Sequence, residues 1–164
     1  MTTTVTEAES PPMPQLRAAS PADLPAVEAL LRSSGLPLDG VRDALRDFVV
    51  AESGDALVGV AGLEVCCEHA LLRSVAVAPE WRSHGLGRAL VTRLIAEAEA
   101  RDIRALYLLT ATAEGYFPSF GFTPVARADV PADVQQTAEF QGACPATATV
   151  MCRAMPRSHD VTSA

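Results

Sequence analysis

An apolar run, Leu71 to Val77, gives way through Pro79 to Arg82-Ser83-His84-Gly85-Leu86-Gly87, and an amphipathic stretch follows from Gly85 to about Arg101. Few sequence features constrain a fold as tightly. Glycines let successive backbone N–H groups converge on one point, and the start of a helix adds about half a positive charge there. The turn reads as an anion site that would fit a pyrophosphate. The competing reading is a Gly-rich turn that merely starts a helix. Leu86, Leu90, Leu94, Ile95 and Ala98 recur at helical spacing and mark the stripe that packs on a sheet.

The rest of the chain supplies that sheet. Gln15 to Ala18 can form a short strand, and Ser20-Pro21-Ala22-Asp23 is a helix start with an N-cap Ser, Pro at N1 and an acid at N3. Leu24, Val27, Leu30 and Leu31 line one face of the helix that follows, which stops near Gly35; a second short helix runs from Asp39 to about Arg46. Three β segments, Phe48 to Glu52, Leu57 to Val65 and Leu71 to Val77, suggest an antiparallel meander around the turn Ser53-Gly54-Asp55. Leu106 to Leu109 is apolar throughout and reads as a central strand buried on both faces. A helix from Ala113 to Phe120 ends at Gly121, the segments Thr123 to Ala126 and Ala148 to Arg153 close the sheet, and Pro131 to Phe140 reads as helical between them.

With 164 residues and 49% hydrophobic content the chain can bury one core, expected over residues 15–155, with disordered tails at 1–14 and 156–164. A net charge of −7, with Arg as the sole basic residue type besides His, argues against nucleic acid as a partner. No apolar stretch approaches the roughly 20 residues that span a bilayer, and the first residues lack a secretory pattern, so a cytoplasmic protein is expected. Cys66, Cys67, Cys144 and Cys152 lack CxxC spacing. They read as reduced thiols, with no metal implied.

The segment Arg82 to Gly87 after a strand ending Val75-Ala76-Val77 resembles the acetyl-CoA signature of the GNAT superfamily of N-acetyltransferases. Ala113 through Gly115-Tyr116-Phe117 to Phe120-Gly121-Phe122 is similar to that superfamily's later A-x-x-x-Y-x-x-x-G-F segment. The likeness covers about Leu16 to Arg153. More narrowly, Gly62 to Val65, Leu71 to Val77, Leu106 to Thr110, Glu139-Phe140 and Cys144-Pro145-Ala146 resemble small acetyltransferases associated with arsenic-resistance operons, which are similar in turn to the acetyltransferase domain of N-acetylglutamate synthases. The resemblance implies an α/β (α+β) GNAT fold, a central, mostly antiparallel mixed sheet of about six to seven strands flanked by helices on both faces. It also implies acetyl-CoA as cosubstrate and a small-molecule amine as acceptor, amino-acid-like in character, together with a role in arsenic resistance. A homodimer, acylation of a protein amine, and a non-catalytic acyl-CoA-binding or arsenic-sensing module stay open.

By the same resemblance, Val75, Ala76 and Val77 would hold the acetyl and pantetheine groups through their backbone, with the Val75 N–H as oxyanion donor. Arg82, Ser83, His84, Gly85, Leu86, Gly87 and Arg88 would hold the pyrophosphate. Thr110 stands where relatives place a pantetheine-contacting Asn, and either replaces it or ends the strand. The position of the relatives' acidic Tyr falls on Phe117, set against the cofactor, with Tyr116 beside it as an alternative proton donor. Glu64 reads as a general base or as a solvated strand-end acid, with Glu68 and His69 near it. Arg73 is expected to share a strand face with Val75 and Val77 by the period of two. It serves either as a clamp on an acceptor carboxylate or as a salt-bridge partner of Glu64.

Overall fold

The computed structural model describes residues 13–110, 115–137, 139–143 and 147–155. Its frame is a seven-stranded sheet in the order β1-β2-β3-β4-β5-β7-β6. The strands are β1 (Gln15–Ala18), β2 (Phe48–Ser53), β3 (Ala56–Cys66), β4 (His69–Val77), β5 (Ala105–Thr110), β6 (Thr123–Pro124) and β7 (Thr149–Ala154). All neighbours pair antiparallel except β4 and β5. A parallel pair needs a long crossover, and the helix α3 (Leu86–Ala100) provides it. Two shorter helices, α1 (Leu24–Ser33) and α2 (Val41–Ala44), precede the meander, and α4 (Ala132–Gln135) follows β6. Among the described residues, no helix is long and apolar enough to cross a membrane.

The apolar spacing seen in the sequence is the spacing that is buried. Helix α3 hides Leu86, Leu90, Val91, Leu94, Ile95 and Ala98. It seats closely on β3, where a Cβ on Gly59 would lie 3.0 Å from Leu90 Cδ1 and 3.2 Å from Leu86 Cδ2. Helix α1 buries Val27, Leu30 and Leu31. Its entry is a 3-10 turn over Pro21–Asp23. There Asp23 accepts from the Ser20 N–H at 2.8 Å and from Arg17 at 2.8 Å, which ties β1 to the helix start. The Arg17 guanidinium holds the Asp23 carboxyl down to about 2. On the sheet face away from α3, Leu71, Tyr107 and Val150 pack with Val134 of α4 in a second, smaller core.

One irregularity organises the site. Gly62 pairs with Arg73 but Val60 pairs with Ala76, so Ser74 and Val75 stand opposite the single residue Ala61. Ser74 takes φ 61°, the left-handed conformation that a bulge of this kind demands and a non-glycine residue adopts at a cost. The expected alternation of Arg73 with Val75 and Val77 therefore fails. Arg73 shares its face with Gly62, Val77 shares the opposite face with Gly59, and the extra residue between them is the reason.

Other expectations are shortened. The helix forecast from Ala113 is, within the described residues, a single 3-10 turn over Phe117–Phe120; Pro118 has no N–H to continue a helical ladder. The first two residues of that forecast, and the Cys144-Pro145-Ala146 segment, lie outside the described residues. Strand β6 stops at Pro124, which cannot donate to a ladder. Pro131 to Phe140 is helical only over α4, and a separate π-type turn follows over Glu139–Ala143.

Gly62 is required for packing. A Cβ on it would fall inside the Phe48 ring, its cross-strand partner. We expect Gly62→Ala to lose about 1–3 kcal/mol, the usual cost of overpacking a filled core. A urea melt with an unchanged midpoint would mean that Phe48 can leave its place freely.

Candidate active site

Pairing between β4 and β5 covers only His69–Leu71 against Ala105–Tyr107. Beyond it β4 continues to Val77 with β3, while β5 continues to Thr110 with β7. The two central strands thus part. Among the described residues, Leu72 to Val77 meet no strand on that side, and backbone groups left unpaired inside a sheet call for another partner.

At the far end of β4 lies a cleft of about 290 Å³ walled by Val77, Trp81, Arg82, Ser83, Gly85, Leu86, Gly87, Arg88 and Tyr116. Its floor is the turn singled out in the sequence. Ser83 and Gly85 take φ 69° and 81°, so the chain doubles back before the helix begins. The first intrahelical bond runs from Ala89 N–H to Gly85 O at 3.0 Å, leaving the N–H groups of Leu86, Gly87 and Arg88 without a partner in the helix. Gly87 keeps the cleft open: a Cβ there would lie 3.4 Å from Tyr116 Oη and 3.7 Å from Val77 Cγ2.

The cations are held at the rim. Arg82 donates Nε to Val77 O at 3.0 Å. Arg88 donates to Ser119 Oγ at 3.1 Å and lies 4.6 Å over the Phe120 ring. His84 does not line the cleft; it bonds Arg82 O through Nδ1 at 2.9 Å and packs edge-on against Trp81. Two guanidinium groups, a helix start and N–H groups without a helical partner would suit an anion, and a chain of atoms anchored there could run along the open edge of β4. These features fit the pyrophosphate and pantetheine of a coenzyme A ester.

Tyr116 and Phe117 resolve differently from the sequence expectation. Phe117 is buried against Phe120 and Phe122 and is absent from the cleft wall, so its place against the cofactor is not supported. Tyr116 is 38% exposed and forms the wall itself. Burial raises its pKa, against a smaller opposing effect of Arg88. The phenol therefore stays protonated at neutral pH, a donor beside the helix start. Trp81 and Ser119 were not picked out from the sequence; an aromatic between Pro79 and the glycine turn was the only available signal for the first.

Glu64 and Arg73 meet on the other face of the sheet from Val77. Arg73, 2% exposed, donates Nη1 to Glu64 Oε1 at 3.0 Å and Nε to Ser74 Oγ at 3.0 Å. Its Nε also lies 3.4 Å from Glu139 Oε2. The salt bridge across the hairpin is thus present, extended by a second carboxylate. Thr110 is buried at the end of β5, paired with Thr149, and does not line the cleft. Nearby His69 pairs with Asp133 at 3.2 Å. Glu68 bonds Arg104 at the surface, 3.0 Å away.

Residues 44–124 match the acetyltransferase (GNAT) domain family. An amino-acid acetyltransferase of Mycobacterium tuberculosis (strain ATCC 25618 / H37Rv) is 31% identical over 131 residues, which is 74% of this chain and 75% of that protein. The chain belongs to the GNAT acetyltransferases. As a GNAT acyltransferase it uses acetyl-CoA as cosubstrate. Its fold matches Rv2747 from M. tuberculosis in complex with CoA and NLQ, with a TM-score of 0.74, 27% identity and coverage of 87% of this chain and 100% of that one. It also matches N-acetylglutamate synthase from Neisseria gonorrhoeae complexed with coenzyme A and N-acetyl-glutamate, with a TM-score of 0.75 and 22% identity over 87% of this chain. This GNAT chain spans only 35% of that synthase. Against the mycothiol acetyltransferase of Thermobifida fusca (strain YX), 49% identity extends over 57 residues, 35% of this chain and 18% of that protein.

Proposed function

We propose that this GNAT enzyme transfers acetyl from acetyl-CoA to the amine of a small, amino-acid-like acceptor by direct attack in a ternary complex. One observation carries the reading: a cleft suited to an anion on one face of the sheet and the Glu64–Arg73 pair on the other flank the place where β4 and β5 part. Cosubstrate and acceptor can then approach the same gap from opposite sides.

Arg82, Arg88 and the N–H groups at the start of α3 anchor the pyrophosphate, and Tyr116 closes over it. The ester's arm follows the open edge of β4, where the bulge at Ser74 and Val75 turns the backbone and gives the Val75 N–H the role of polarising the thioester carbonyl. An acceptor reaches the gap as an ammonium ion. Glu64 accepts one proton, the free amine attacks the carbonyl carbon, and the C–S bond breaks with the electron pair on sulfur, which takes the second proton that the nitrogen sheds as the amide forms. A thiol of reference pKa about 8.5 is a fair leaving group near neutrality, so no side-chain acid is required, and Tyr116, whose hydroxyl sits against Gly87, serves cosubstrate binding rather than protonation of the sulfur.

Support for a role in arsenic resistance comes from the sequence resemblance alone. Cys66 and Cys152 occupy strands three apart in the sheet, about 14 Å at ordinary strand spacing, which does not favour a joint thiolate site.

Thiol release from acetyl-CoA over a panel of amino acids tests the proposal. With an accepted amino acid, Glu64→Gln should lower kcat about 10²- to 10⁴-fold, the range typical of a general base, while calorimetry shows acetyl-CoA binding unchanged. Unaltered kcat would remove Glu64 from the chemistry. Acetyl-CoA binding without thiol release for any amine would favour the non-catalytic module.

A further inference from the structure

Arg88 stands on an exposed part of α3, where a long side chain ordinarily samples many rotamers and loses that freedom when an anion fixes it. Here it is fixed in advance. Its Nη2 donates to Ser119 Oγ at 3.1 Å, and the guanidinium carbon lies 4.6 Å over the Phe120 ring. Both partners belong to the 3-10 turn over Phe117–Phe120.

The hydrogens available set the direction of each bond. A guanidinium has no acceptor, so the Ser119 oxygen accepts from Arg88, and the single Ser119 hydrogen goes elsewhere. It goes to Tyr116 O at 2.9 Å. That bond turns the Ser119 lone pairs toward Arg88, so the backbone of one cleft-wall residue orients the side chain of another. The same turn holds the Tyr116 ring, edge-on to Phe120 at 5.3 Å. One bond to Ser119 occupies only part of the guanidinium fork, and Arg88 still lines the cleft. Resting on the reading that Arg88 anchors the pyrophosphate, we infer that Ser119 is a positioning residue for coenzyme A: it aims the Arg88 guanidinium at the cleft before the cosubstrate arrives. Ser119 is not part of the cleft wall, so it acts through Arg88. Holding a charged donor in its bound geometry reduces the ordering cost of association.

A serine that only closes its own turn would make the same bond to Tyr116 O, and the two roles differ in their dependence on Arg88. Calorimetric titration of coenzyme A into the full chain and its variants separates them. We expect Arg88→Ala to raise the dissociation constant about tenfold, equivalent to about 1.4 kcal/mol. Ser119→Ala should raise it about threefold to fivefold at an unchanged thermal midpoint. Ser119→Thr keeps the hydroxyl and should stay within about twofold of wild type, and adding Ser119→Ala to Arg88→Ala should weaken binding no further. A Ser119→Ala chain that binds like wild type, beside a weakened Arg88→Ala, overturns the inference and leaves Arg88 as an anchor. So does full additivity in the double variant, or Ser119→Thr binding as poorly as Ser119→Ala. A Ser119→Ala chain that does not fold makes Ser119 a strut of its turn and overturns the inference equally. Arg88→Ala binding as well as wild type overturns the anchor reading, and this inference with it.

Discussion

Gly87→Glu is expected to abolish acetyl-CoA binding while the protein stays folded. Gly87 sits in the first turn of α3, where the N–H groups are free, and the space above it is closed by Tyr116 Oη and Val77 Cγ2 at 3.4 and 3.7 Å from a Cβ position. Glutamate there would fill the cleft and place a carboxylate where the pyrophosphate should bind. The same carboxylate suits a helix N-terminus and replaces glycine with a better helix former, so the fold has no reason to suffer. In a calorimetric titration the dissociation constant should rise at least about 100-fold, equivalent to about 2.7 kcal/mol, with little change in thermal midpoint. Gly87→Ala makes only ordinary van der Waals contact and should weaken binding less. If Gly87→Glu titrates like the wild type, the cleft is not the cosubstrate site.

The cleft was legible in the sequence because everything that builds it is local. Gly85 and Gly87 announce the turn, the spacing of Leu86, Leu90, Leu94 and Ile95 announces the helix, and the two together fix where its free N–H groups point. Strand β5 was legible for a similar reason, its apolar run being too short for a helix and too hydrophobic for an edge. What the sequence hid was set by tertiary contact. Nothing in Leu71 to Val77 signals the bulge, since Ser74 has no special liking for φ 61°, and one extra residue is enough to send Arg73 to the other face. The pairing of Arg73 with Glu139 joins residues far apart in the chain through a turn that no periodicity marks. The directions of Tyr116 and Phe117 were hidden as well, because Pro118 permits one 3-10 turn where a helix was expected, so neither could be read from helical geometry.

That misplaced face changes what removal of Arg73 should do. Its side chain is fully buried, facing Glu139 at 5% and Glu64 at 23% side-chain exposure. Arg73→Ala takes the guanidinium away from two carboxylates and opens a cavity, and breaking a buried pair from one side typically costs about 3–5 kcal/mol. For a domain of this size the thermal midpoint should drop by about 10 °C or more. Pairing the change with Glu139→Gln removes one of the carboxylate charges that Arg73 faces and should return part of the loss, a coupling measurable in a double-mutant cycle. Acetyl-CoA affinity, measured below the lowered midpoint, should be close to wild type, because the cleft lies on the opposite face and Arg73 touches none of its wall. On the reading that Arg73 clamps the acceptor carboxylate, activity on carboxylate-bearing amines should vanish. If acetyl-CoA binding falls as far as acceptor turnover, Arg73 is a strut for the whole sheet rather than part of an acceptor site.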